Sequence, residues 1–156
     1  MSTHEIPDDL EEAVLEYHRE PKPGKLAITA TKPLETQRDI ELAYYPGVLT
    51  ACAAIVDDPL DVSTLTGRQN LVGAITNGSA VTGMGYIGAL ASKPVMESKA
   101  VLFKKFAGIN VFDIELDESD ESELIKTIAR LEPTFGAINL ENIKSPDCFR
   151  IEKALG

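Results

Sequence analysis

At 156 residues, with 44% hydrophobic and 26% charged residues, the chain has the length and composition of a single globular domain. A net charge of −10 and an isoelectric point near 4.6 exclude general nucleic-acid binding, which needs a basic face to displace counterions from phosphate, and suit a cation as partner. No apolar run is long enough to cross a bilayer, and His4, Glu5, Asp8 and Asp9 make no signal peptide, so no membrane contact is expected and the cytoplasm is the expected compartment.

Asp8 or Asp9 can cap an amphipathic helix over residues 8–19, with Leu10, Val14 and Tyr17 at helical spacing, which Pro21, Pro23 and Gly24 end. Lys25 to Ala30 reads as a short strand closed by Pro33. This arm, 1–33, is expected to lie across the domain or against a second subunit. Residues 34–45 read as helix up to the residue before Pro46, which places Tyr44 and Tyr45 at a break. A tyrosine there is either a rim aromatic with one hydrogen-bond partner or a held phenol that presents a proton donor to a cleft. The apolar run Val48 to Val56 reads as a buried helix. Cys52 and Cys148 fall in no metal-ligand spacing and read as two free, largely buried thiols. His4 and His18 are the only histidines, which disfavours a histidine-rich metal site or a histidine-based triad.

Leu71 to Ile75 is a short strand stopped by Asn77-Gly78. Gly83-x-Gly85-x-x-Gly88 then matches the spacing of a dinucleotide fingerprint, with Asp113 or Glu115 as the later acid. The match is weak, since Pro94 would break the helix that the fingerprint requires. The following run sets Lys99, Lys104 and Lys105 among Ala100, Val101, Leu102, Phe103 and Phe106, a mostly buried helix by this reading. A lysine there either keeps its ammonium wet at the end of a buried stem or, once dehydrated, becomes able to act as a base.

Ile109 to Leu116 alternates as a strand, and Asp120 with Glu123 caps a helix that carries Leu124, Ile128 and Leu131 as far as Pro133. Phe135 to Leu140 reads as a buried strand with Glu141 at its carboxyl end, the edge at which open α/β sheets bind ligands. Ser145-Pro146 is expected to start a last helix with Phe149, Ile151 and Leu155. The alternation predicts an α/β fold: a small, mostly parallel sheet flanked by helices over a core at 34–156, preceded by the N-terminal helical segment.

Thr36-Gln37-Arg38-Asp39, Leu42 to Val48, Asn70-Leu71-Val72, Asn77 to Val81, Gly83 to Gly88, Lys93 to Lys104 and Glu132 to Gly136 together resemble the N-terminal domain of bacterial and archaeal malic enzymes. The similarity covers the chain from about residue 13 to its end. It implies oxidation of L-malate at C2 by hydride transfer to NAD or NADP, then decarboxylation to pyruvate. By that resemblance Lys99 is the base that takes the C2 hydroxyl proton and so touches substrate, Tyr44 is the acid that protonates C3, and Glu141 is the first carboxylate for a magnesium or manganese ion. The family has aspartate next, where this chain has Asn142, which implies weakened metal binding. Tyr45, Tyr86 and Ser98 also depart from the family pattern and add bulk near the expected cleft.

The resemblance further implies a homodimer. It places the third metal carboxylate and the dinucleotide-binding domain beyond residue 156, so a separate NAD(P)-binding domain is an expected partner. The alternative is a non-catalytic dimerisation or binding module of malic-enzyme ancestry.

Overall fold

The computed structural model describes residues 7–156; His4 and Glu5 lie outside them. Six-residue strands β1 (Leu71–Thr76) and β2 (Asn110–Glu115) and the four-residue β3 (Ala137–Leu140) form one parallel sheet in the order β2-β1-β3. The strand at the centre alternates its side chains between two cores. Ala74 faces helix α5 (Ala89–Ala107) with Met96, Ala100 and Val111, while Ile75 faces helices α6 (Glu121–Arg130) and α7 (Asp147–Leu155) with Leu124, Ile128, Ile143 and Ile151. Among the described residues, the two outer strands each keep one unpaired edge.

The capping pair expected at α6 is present, with Asp120 Oδ1 accepting the Glu123 N–H at 3.0 Å. Helix α7 departs from expectation: its first flanking residue is Pro146, and no Ser145 side chain caps it. Helix α5 is not mostly buried. Only Ala89, Ser92, Met96 and Ala100, spaced three or four apart on one face, are buried, while Phe106 is 81% exposed. Pro94 does not break α5 either. It denies an amide partner to the carbonyl of Leu90, a residue 88% exposed, so water can satisfy that group.

The segment before β1 is peripheral. Helices α1 (Asp8–Arg19), α2 (Gln37–Ala43), α3 (Val48–Asp57) and α4 (Val62–Leu65) come first, and among the described residues the earliest buried one is Gly73. Helix α1 starts at Asp8 behind Pro7, so neither Asp8 nor Asp9 is its cap. No strand forms over Lys25 to Ala30. Thr36 and Asp39 close a capping box that starts α2 three residues later than the expected boundary.

The run Val48 to Val56 is helical as expected but not buried: Leu49 is 54% and Val56 80% exposed, and Cys52 on it is exposed, not buried. Within Gln37–Asp57 an 18-residue window reaches a mean hydropathy of 1.2 with none of it buried, the apolar level of a membrane span by composition alone. The break between α2 and α3 leaves helices of 7 and 10 residues, each too short to cross the roughly 30 Å of a hydrocarbon core.

Lys25 ties the arm to the core. Lys25 donates its N–H to Glu97 Oε2 at 2.9 Å and its ammonium to the Pro94 carbonyl at 3.1 Å, while His18 Nε2 lies 2.7 Å from that ammonium. Lys25→Met removes both ammonium contacts but keeps the stem. The expected result is faster limited proteolysis between residues 20 and 33 with cleavage of the sheet unchanged; equal rates would mean that the backbone contact alone holds the arm.

Candidate active site

The ladder of β3 runs one residue past the strand, since the Glu141 N–H donates to the Ile75 carbonyl at 2.9 Å. Glu141 therefore sits at the carboxyl edge of the sheet on a fixed backbone. Asn139 is in register with Ala74, whose side chain packs under α5, so Asn139 and Glu141, two residues apart in extended chain, both face α5. From that helix Lys99 Nζ reaches Glu141 Oε2 at 3.2 Å, and Asn139 Nδ2 donates to the same oxygen at 3.2 Å. The Lys99 side chain is 37% exposed and that of Glu141 22%. The ammonium is thus paired and half-wet, not the dehydrated group expected of a mostly buried helix.

Asn142 follows at φ 54°, in the left-handed region where asparagine is favoured, and its carbonyl accepts the Ala80 N–H at 2.9 Å. Its amide Nδ2 is buried without a hydrogen-bond partner. Turned over, the same amide would set Oδ1 in that position, an arrangement that fits an oxygen ligand beside Glu141. Two oxygens are far short of the roughly six that magnesium or manganese takes. No cluster of three His, Cys, Asp or Glu suited to a metal occurs among the described residues.

Tyr44 stands apart. It closes the C-terminus of α2 and is 72% exposed, with Tyr45 beside it at 68%. Lys99 and Glu141 are brought together within one chain, and no hydrogen bond or ion pair joins Tyr44 to either.

The glycine run does not form the tight strand-to-helix turn of a dinucleotide site. Twelve residues separate β1 from α5, between Thr76 and Ala89. The Gly78 carbonyl accepts the N–H groups of Ile87 at 3.0 Å and Gly88 at 3.2 Å, which pins the loop shut at its base, and Gly83, Gly85 and Gly88 all adopt positive φ. The acids that the fingerprint would have used are engaged elsewhere: Lys93 Nζ lies 2.6 Å from Asp113 Oδ2 and 3.3 Å from Glu115 Oε2.

That second cluster was missed in the sequence, although carboxylates two apart on a strand necessarily share a face. Burial, then the Asp113 charge, push the Glu115 carboxyl above its usual 4.5, and Lys93 only partly pulls it back. Burial works against the Lys93 ammonium as well, but the Asp113 hydrogen bond and the Glu115 and Asp113 charges outweigh it and hold it above 10.5. A carboxyl raised on folding stabilises the fold most below its unfolded value and loses that contribution as pH rises through its folded one. Glu115→Gln should therefore gain stability relative to the parent as pH increases from 4 to 7, measured by urea unfolding. A pH-independent difference would refute the shift.

Residues 23–156 match the malic enzyme N-terminal domain model. The chain belongs to the malic enzyme family. It is 59% identical over 148 residues to an NADP-dependent malic enzyme of Escherichia coli, covering 95% of this chain and 20% of that protein. An NAD-dependent malic enzyme of Rhizobium meliloti is 57% identical over 147 residues, covering 94% and 19%. Among solved structures, malic enzyme from Pyrococcus horikoshii superposes with a TM-score of 0.90 at 42% identity, over 93% of this chain and 34% of that one. An NAD-dependent malic enzyme from Thermotoga maritima gives 0.87 at 44%, over 90% and 37%. The malic enzyme fold expected from the sequence is thus the fold observed. The domain spans about a fifth of the length of these curated relatives and a little over a third of the solved chains.

Proposed function

We propose that this chain is the malate-handling half of a malic enzyme, in which L-malate gives pyruvate and carbon dioxide while NAD or NADP, held by another domain, takes the hydride. The observation that carries the reading is the Lys99–Glu141 pair at 3.2 Å on the carboxyl edge of the sheet, in a chain whose relatives are named NAD- or NADP-dependent malic enzymes. The amine form of Lys99 takes the C2 hydroxyl proton as hydride leaves C2. The C3–C4 bond then breaks, releasing carbon dioxide and leaving its electron pair in an enolate, and the Tyr44 hydroxyl gives its proton to C3 of that enolate to form pyruvate.

Glu141, with Asn142 through its amide oxygen, would hold a magnesium or manganese ion, which supplies chelation of malate and takes up negative charge as the carboxylate departs. A homodimer fits this reading. The exposed apolar residues of α2 and α3, from Leu42 (58%) through Tyr44 and Leu49 to Val56 (80%), offer a face for a second copy, and covering that face would take the Tyr44 phenol out of water. A cytoplasmic setting agrees with the free thiols Cys52 and Cys148.

Calorimetric titration tests the reading. Malate should bind the 156-residue chain only with manganese present, Glu141→Gln should abolish that binding, and Asn142→Asp should strengthen it by restoring one negative charge. The chain alone should form no pyruvate from malate and NAD or NADP. Manganese-independent silence toward malate in the parent and both variants would favour the reading in which the domain serves only for dimerisation or binding, a reading that the exposed Tyr44 also suits.

A further inference from the structure

We infer that Asn139 is a positioning residue for the Glu141–Lys99 pair, an inference that rests on the malate-site reading. A glutamate side chain has three rotatable bonds, and one half-wet ion pair with a flexible lysine holds it loosely. Here a second donor lands on the same oxygen. Asn139 Nδ2 and Lys99 Nζ both lie 3.2 Å from Oε2, and the register of β3 fixes Asn139 opposite Ala74 and Glu141 at the next position on that face.

Two donors that converge on one oxygen fix the plane and rotation of the carboxylate and direct Oε1 away from both. The character of the second donor matters as much as its place. A neutral amide orients the carboxylate without cancelling its charge, whereas a second cation would remove the negative charge that a divalent ion needs. Asn139 thereby keeps Lys99 in contact with the carboxylate while leaving one oxygen of that carboxylate to other partners.

The test uses the full chain and reads how well Lys99 is held. Brief acetylation with acetic anhydride at one pH, quantified by mass spectrometry, gives a labelling ratio of Lys99 to Lys104. Lys104 lies on the same helix and has a separate partner, Asn110 Oδ1 at 2.8 Å, so general loosening raises both and leaves the ratio flat. Asn139→Val, which suits a strand and removes the donor, should raise the ratio roughly three- to tenfold, the effect of losing one hydrogen bond. Asn139→Ala should do the same if the valine variant folds poorly. Glu141→Gln should raise the ratio further.

If Glu141→Gln raises the ratio and both Asn139 variants leave it unchanged, the positioning role is overturned and the site reading stands. If none of the three variants changes it, the pair does not hold in solution, and both readings fall.

Discussion

Lys99→Met in an assembly that turns over malate, such as this domain joined to a dinucleotide-binding domain, should lower kcat by roughly two to four orders of magnitude, the range over which a positioned base acts. The stem of methionine matches much of that of lysine, so packing on α5 survives and the loss reports chemistry. KM for malate should change far less than kcat, because the missing group acts on the proton that leaves in the transition state. A kcat within threefold of the parent would remove Lys99 from the mechanism and leave it as an ion-pair partner of Glu141. Tyr44→Phe, made beside it, should slow protonation of the enolate but spare oxidation, so the ratio of NAD(P)H to pyruvate formed would rise early in the reaction.

Gly78→Ala should destabilise the fold by about 3 kcal/mol in urea unfolding, a large loss for one methyl group. Its φ of 65° already disfavours a side chain, and the added Cβ would lie 2.0 Å from the Gly88 carbonyl oxygen, a backbone atom with no rotamer to move to. The base of the loop would have to open, breaking the Ile87 and Gly88 hydrogen bonds to Gly78 and shifting the start of α5. Gly83→Ala is the control. It has a comparable φ of 83° but nothing within 4 Å of the new Cβ, so it should cost only the conformational part, about 1 kcal/mol. Equal losses in the two variants would show that the close approach at Gly78 relaxes freely.

The sheet was legible because its strands carry their own punctuation. Asn77-Gly78 closes β1, the alternation over Ile109 to Leu116 marks β2, and the short apolar run before Glu141 marks β3. The Lys99–Glu141 contact was legible only through resemblance, since no spacing links residues 42 positions apart.

What failed to read correctly had tertiary causes. The apolar run over Val48 to Val56 gave the right helix and the wrong burial, because composition says that a face wants cover but not which chain provides it. Pro94 looked like a stop, yet the carbonyl it leaves without an amide belongs to Leu90, a residue 88% exposed, which makes the lost hydrogen bond tolerable. Lys25 to Ala30 alternated like a strand, but it pairs with no strand among the described residues. Asp113 and Glu115 were read only as the later acid of a dinucleotide fingerprint, because their partner, Lys93, sits on another element, twenty residues before Asp113.

A sheet with one interior strand is nearly all border. Along the outer side of β3 no strand among the described residues pairs with the main chain, over a segment that carries Ile138 and Leu140 and no charge. At high concentration such a margin recruits any extended polypeptide that can complete its ladder, so the isolated domain should be prone to intermolecular β-pairing, and lysine substitution at Ala137 should curb it.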